Sequence, residues 1–488
     1  MTLEKDSKHD DKIVPDGERA FAVLTYSFEN IGAESLYEHL YRCIRADILA
    51  GRLQAGEKLP SKRSLAHQLG ISVITVEGAY GQLVAEGYCQ SVPKKGFFVA
   101  RLSSLPIKPA QAQRVHRKPE ACLPEYLADF TANSLRPEDF PFKTWTRLLR
   151  QVMAQQAEEL LERSPGMGIM SLRETIANHL RSFRGLDVAP EQIVVGAGTE
   201  YLYGLLVQLL GRDKCFGVEN PGFDKIRQVY RQNAVRCVPV AMDEQGICPQ
   251  ELQEKGVDVL HISPSHHFPT GCITPISRRY ELLGWASAGE GRFIIEDDYD
   301  SEFRLTGRPI PTMMGIDVSG RVIYMNTFSK TLTPTIRISY MVLPDKLVKV
   351  FHRELGFYSC TVSNFEQYTL ARFIRAGYFE KHINRMRNCY RKRREALLQT
   401  MKAGGLFHHA DLIERGSGLH FLLRFHTGKD DHVLQQELSQ KGIRMRPLSD
   451  YYVGSAEGAA HTFVLNYSGM EEDCLDEAID RIVSCLEA

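Results

Sequence analysis

Residues 101–124, RLSSLPIKPAQAQRVHRKPEACLP, constrain the fold of this chain more than any other stretch. They hold four prolines and several Lys and Arg, with neither a 3.6 nor a 2 periodicity. A structureless connection longer than about 15 residues is uncommon inside a compact domain, so this composition reads as a linker. About 20 flexible residues span roughly 25 Å r.m.s., and proline stretches that reach. The chain therefore divides into a disordered leader at 1–30, a small unit at 31–101, a tether at 102–122 and a large unit at 123–488. The total of 488 residues agrees with more than one domain.

Composition removes several classes of function. The net charge is zero, so any argument for nucleic acid must come from local charge. The apolar runs, such as YLYGLLVQLL, fall well short of a membrane span. The leader MTLEKDSKHDDKIVPDGE has no apolar core of a secretory signal. The eleven cysteines form no C-x-x-C pair and no Cys/His cluster at zinc spacing, which points to free thiols in a reducing cytoplasm.

In the small unit, Leu36, Leu40, Cys43, Ile44 and Ile48 recur at helical spacing and stop at Gly51. Pro60-Ser61 then opens a short helix carrying Leu65, Ala66 and Leu69, ended by Gly70. Ser72 is a plausible N-cap for a longer helix with Val76, Tyr80, Leu83 and Val84. Two helices across a tight Gly turn fit a helix-turn-helix, and GYCQSVPKKGFFVA reads as strand, basic turn, strand. A small helical packing or dimerisation domain is the plainer alternative for this spacing.

The whole order of helix, Pro-Ser-x-Arg, turn helix and two-lysine wing resembles the N-terminal domain of the GntR family of bacterial transcription regulators, over residues 36–101. The resemblance implies a winged helix in which Ser61, Arg63, Ser72 and Thr75 meet DNA phosphates or bases, while Lys94, Lys95 and Gly96 form a wing on the backbone and minor groove. Phosphate contacts give salt-dependent affinity and base contacts give specificity. The chain departs from the pattern at Val73 and Glu77, where the family often has basic residues. An apolar Val73 or Ile74 suits a thymine methyl, whereas a bidentate guanine contact is not available there.

In the large unit, helical and strand-like segments alternate, which suggests an α/β sheet with ligands at the carboxyl ends of strands. EQIVVGAGTEYLYGLLVQLL feeds a glycine turn into a helix N-terminus, a geometry that suits an anion. RFIIEDDYDSEF ends an apolar strand in a carboxylate cluster, which needs a cation partner, and Mg²⁺ is one alternative. HISPSHHFPTG carries the neighbouring His266 and His267, and VIYMNTFSKTLTPTIRISYMVLP holds Lys330 in a Thr/Ser-rich turn.

This order of glycine turn, NPGF, PTG, Asp, Lys and Arg resembles the fold-type I pyridoxal-phosphate enzymes of the aminotransferase class, from residue 123 to the end of the sequence. By that resemblance Lys330 forms the Schiff base with pyridoxal 5′-phosphate (PLP), and Asp297 pairs with the pyridinium nitrogen, Asp298 being the neighbouring candidate. Tyr299 bonds the ring hydroxyl, Phe223 stacks on the ring, and Gly198, Thr199, Thr327, Ser329 and Arg337 hold the phosphate. Three departures stand out. Phe268 replaces the Asn usual before PTG, leaving His267 or His266 as substitutes. Arg163 stands where a phosphate-reaching tyrosine is common. The carboxylate-binding arginine is missing from TFVLNYSGM, which leaves Arg444 and Arg446 as candidates for a ligand carboxylate.

Together the two halves resemble the MocR subfamily of GntR regulators. The implied protein is a cytoplasmic, bacterial, homodimeric regulator that binds operator DNA. It senses PLP itself, or an amino compound that forms an external aldimine in place of Lys330, with weak or no transamination. The rival reading is a working aminotransferase with a DNA-binding appendage. A plain DNA-binding protein with an empty second domain is disfavoured by the retention of Lys330, Asp297, Thr327 and Arg337.

Overall fold

The computed structural model describes residues 24–28, 34–101, 126–131, 135–304, 310–414, 418–470 and 472–487. It separates into two compact units, residues 1–121 and 122–488. Most of the expected leader and all of the expected tether lie outside the described residues.

The first unit packs three helices against a two-stranded ribbon. Helix α1 (Leu36–Leu49) starts at a capping box, where Ser35 N donates to Glu38 Oε2 at 3.2 Å. Helix α2 (Lys62–Leu69) is capped by Ser61 Oγ, which accepts from Ser64 N, and ends at Gly70 in the left-handed region, φ 66°. Helix α3 (Val73–Ala85) is capped by Ser72 in the same way through Thr75 N. Leu40, Ile44, Leu65, Val76, Ala79 and Leu83 meet in one core. Strands β1 (Cys89–Val92) and β2 (Gly96–Val99) pair antiparallel around a turn in which Lys94 takes φ 63°.

Residues 24–28 belong to this unit rather than to the leader in which the sequence reading placed them. Leu24 is buried, Tyr26 Oη donates to Asp47 Oδ2 at 2.7 Å, and Gln68 Nε2 donates to Leu24 O at 3.1 Å. A strap this short has too few residues to show a period.

The second unit begins with β3 (Ala128–Asp129) and is built on an eight-stranded sheet. Its strands are β4 (Ile193–Gly196), β5 (Cys215–Asn220), β6 (Arg236–Asp243), β7 (Gly246–Ile247), β8 (Val259–Ile262), β9 (Phe293–Asp297), β10 (Val322–Thr327) and β11 (Ser339–Val342). Their order is β4-β11-β10-β9-β8-β5-β6-β7. From β10 through β9, β8 and β5 to β6 every pairing is parallel. β11 opposes both β10 and β4, so β4 runs the same way as the parallel set. The carboxyl ends of β4, β5, β8, β9 and β10 therefore fall on one edge of the sheet. β4, β8, β10 and β11 are buried throughout, as expected of a sheet covered on both faces by helices.

A smaller antiparallel sheet follows, with β12 (Ala410–Ile413), β13 (His420–Phe425), β15 (Arg446–Pro447) and β16 (Thr462–Asn466) in the order β12-β13-β16-β15. Between β13 and β15 in the chain, β14 (Ile443–Arg444) pairs with β3. The 26-residue helix Tyr378–Ala403 and the helix Leu475–Leu486 bury Phe379, Met386, Leu397 and Ile479 in the same core as Phe421 and Phe463. Among the described residues no helix is long and apolar enough to cross a membrane.

Candidate functional site

The edge where the parallel strands end collects most of the residues singled out in the second unit. At the end of β10, Thr327 caps the four-residue helix Phe328–Thr331, accepting from Ser329 N at 3.1 Å and from Ser339 Oγ at 2.7 Å. Lys330 lies in that turn, and burial pulls its ammonium below the ordinary lysine range against the opposing pull of Asp300 and Asp297. Ser329 Oγ is buried and has no hydrogen-bond partner.

Beyond β4 the chain turns at Gly198, φ 90°, into the helix Thr199–Leu210. Any other residue would be strained at this φ, and its Cβ would displace the Arg337 guanidinium, so the turn favours glycine. Arg337 itself adopts the left-handed region, φ 48°, and its Nη2 lies 3.6 Å from Glu200 Oε2. Glu200 is also paired with Lys225. Thr199, Ser329 and Arg337 thus set two helix N-termini and one guanidinium around the strand ends, a donor set suited to a phosphate.

The two adjacent aspartates have different surroundings. Asp297, the last residue of β9, accepts from Tyr203 Oη at 2.7 Å, and His261 Nε2 lies 3.4 Å from the same oxygen, Oδ2. Its other oxygen, Oδ1, is buried without a partner. Asp298 accepts from Tyr324 Oη at 2.6 Å and faces Arg184 Nη2 at 2.9 Å, in an ion pair whose side chains are each 2% exposed. Successive residues of a strand point to opposite faces, which separates them. Glu296, wholly buried, accepts from Met313 N and Met314 N, and burial pushes its carboxyl up to about 7. The carboxylate cluster of the sequence is thus dispersed to separate partners, among them Arg184.

Tyr299 Oη sits 3.2 Å from His266 Nδ1, which is 2.7 Å from Asp300 Oδ2. Burial, then Asp300 and Asp297, keep the Tyr299 phenol protonated far above its usual range. His267 Nδ1 pairs with Thr270 Oγ1 at 2.7 Å, and burial lowers its pKa to about 3, so the ring is neutral. His420 packs its ring 4.9 Å from His266 and is held neutral by burial. Phe223, half exposed, meets Phe268 edge-on at 6.1 Å.

The remaining predicted arginines are engaged elsewhere. Arg163 donates to Phe357 O at 3.3 Å and also bonds Ser359 Oγ. Arg444 pairs with Asp129 at 3.2 Å, across the β3–β14 ladder. Arg446 pairs with Asp450 at 3.1 Å and lies over the Tyr451 ring, whose other neighbour is Phe268.

Sequence reasoning missed Tyr203, His261, Arg184, Asp300, Glu200 and His420. Tyr203 had a usable signal: it stands four residues after Thr199 on one helix face. Arg184 and His420 had none, because only the tertiary fold brings them to Asp298 and His266.

In the first unit Arg63, Ser72, Lys94 and Lys95 are exposed, Thr75 and Gly96 are half-buried, and Ser61 is exposed at the start of α2. The hydroxyls of Ser61 and Ser72 both cap helices, so each N-terminus is pre-formed without a ligand.

Residues 36–99 match the family described as bacterial regulatory proteins, gntR family. Over 447 residues the chain is 38% identical to the HTH-type transcriptional regulator YdeL of Bacillus subtilis (strain 168), covering 92% of this chain and 96% of that one. It is 32% identical to the probable rhizopine catabolism regulatory protein MocR of Rhizobium meliloti, over 93% and 94% of the two chains. The fold is similar to that of the kynurenine aminotransferase of Pyrococcus horikoshii, with a TM-score of 0.65, 25% identity, and coverage of 75% of this chain and 91% of that one. This chain belongs to the MocR-type GntR regulators, in which a winged helix precedes an aminotransferase-like fold.

Proposed function

We propose that this regulator binds pyridoxal phosphate at the sheet edge and uses it to sense PLP itself or an amino compound that takes the place of Lys330. The observation that carries the reading is a pair of buried, partnerless atoms, Asp297 Oδ1 and Ser329 Oγ, on the edge that also holds Lys330 and Arg337. A buried polar atom without a partner costs about 1–3 kcal/mol, and a ligand atom at this edge would satisfy both, which supports the reading. The similar kynurenine aminotransferase was solved with PMP, which supports the same class of ligand here.

When bound, PLP supplies an aldehyde for an amine and a ring that withdraws electrons. The chain's own residues have distinct tasks around it. Tyr203 and His261 orient Asp297 through Oδ2, so that Oδ1 would be the oxygen left to hold a proton on the ring nitrogen. Burial favours neutral Lys330, the nucleophilic form of the amine. Gly198, Thr199, Thr327, Ser329 and Arg337 would hold the phosphate, Phe223 would stack on the ring, and Tyr299 with His267 or His266 would serve its hydroxyl. Operator DNA is bound by the winged helix of each copy in a homodimer.

Borohydride reduction of the purified full-length chain should fix the cofactor's mass on the peptide containing Lys330. Attachment to any other residue would overturn the assignment. The rival, a working aminotransferase, is opposed by the missing arginine in β16 and by Phe268 before Pro269.

A further inference from the structure

Helix α3 turns Val76, Ala79, Tyr80 and Leu83 into the core and leaves Val73, Ile74, Glu77, Gly78 and Gly81 facing out. That outward stripe contains no cation. Its one charge, Glu77, is held by Lys62 of α2 at 2.5 Å. At the N-terminal end, where a recognition helix meets base edges, the two hydroxyls are engaged with each other and with the cap. Ser72 Oγ accepts from Thr75 N at 3.0 Å and lies 2.8 Å from Thr75 Oγ1. The side chains that project beside them are apolar: Ile74 is 80% exposed and Val73 42%.

A single exposed isoleucine is unremarkable on a protein surface. This one stands in the first turn of the second helix of a helix-turn-helix, within the residues that match the gntR family. In the major groove the thymine C5-methyl is the apolar feature of a base edge, while a bidentate guanine contact needs Arg or Lys. We propose that Ile74, flanked by Val73, reads a thymine methyl in each operator half-site, and that α3 makes no bidentate contact to guanine. The proposal rests on the DNA-binding half of the function above and is independent of the cofactor.

The test uses the full-length chain and duplexes recovered by it from a pool with a randomised core. Each thymine of a recovered duplex is replaced singly by deoxyuridine, which removes only the methyl. One position per half-site should weaken binding about fourfold, the worth of one buried methyl-sized group. Ile74→Ala, at an exposed site, should still fold and should bind the thymine and deoxyuridine duplexes alike. Ile74→Arg should recover guanine at or next to that position. Wild-type binding indifferent to every deoxyuridine, or discrimination that survives Ile74→Ala, overturns the methyl contact alone. Failure to recover any duplex at low salt overturns the DNA-binding reading itself.

Discussion

Lys94 and Lys330 are the same residue type in opposite physical settings. Lys94 stands exposed in a turn between two strands, with φ 63°, and Lys95 beside it is exposed as well. Lys330 lies at a strand end where burial depresses its ammonium. The first setting keeps the charge and offers it to a polyanion, with an attraction that salt screens. The second removes water and favours the uncharged amine, the form in which a lysine can act as a nucleophile. The contrast extends to the neighbours. Around α3 most candidate contacts are exposed, and the capping bonds of Ser61 and Ser72 are complete without a ligand. Around Lys330 the strand-end contacts Asp297 and Thr327 are buried while Arg337 and Phe223 stay exposed, and two oxygens, Asp297 Oδ1 and Ser329 Oγ, lack partners.

The strongest way to break the contrast is Lys330→Ala. The full-length variant should lose the visible cofactor band entirely and take no borohydride-fixed mass, while binding salt-sensitively to duplex DNA as before. A retained band would place the cofactor elsewhere.

Next in size are the two aspartates. Asp298→Asn leaves Arg184 buried without its partner anion, which should cost about 3–5 kcal/mol in the unfolding of the second unit. Asp297→Asn should change unfolding by no more than about 1 kcal/mol, because no buried guanidinium loses its partner anion, yet it should weaken cofactor retention. Denaturant unfolding and absorbance on the two variants check both. Equal behaviour would mean that the partnerless Oδ1 has no special role.

Replacing Lys94 and Lys95 together by alanine should have a smaller effect, weakening binding similarly across sequences. The plot of log affinity against log salt should flatten by about 2 if each lysine neutralises one phosphate. Titration at several salt concentrations gives the slope, and an unchanged slope would remove the wing from the interface.

The subtlest expectation concerns pH. Because burial lowers the Lys330 pKa, the neutral fraction is already larger near neutrality than for an exposed lysine. The rate of cofactor uptake should rise with pH and level off with a midpoint below the ordinary lysine value of 10.5. A midpoint at or above that value would show that the amine is not desolvated.

Much of this was legible in the sequence where the chemistry is local. Thr327, Ser329, Lys330 and Arg337 fall within eleven residues, and the Gly198 turn feeds directly into its helix. The capping serines were legible for the same reason. What was not legible is pairing at a distance. Tyr203 reaches Asp297 from 94 residues away, and His266 meets Asp300 across 34. The different surroundings of Asp297 and Asp298 depend on Tyr203 and Arg184, which no local pattern marks. The strap at residues 24–28 escaped because its burial comes from α1 and α2 rather than from its own period.

The claim that joins the two regions is that an event at Lys330 is felt at α3 and the wing. A ligand shifts DNA affinity only through a difference in its own affinity for two arrangements of the protein. The direct measurement is operator affinity of the full-length, PLP-loaded chain over a panel of amino donors, with transamination followed on the same samples. The regulator reading predicts that at least one donor shifts the cofactor spectrum and changes DNA affinity by about 5- to 150-fold. It also predicts little turnover, and no donor effect on DNA binding in Lys330→Ala. Turnover at roughly 1–10³ per second, with DNA affinity indifferent to every donor and to PLP, would contradict it.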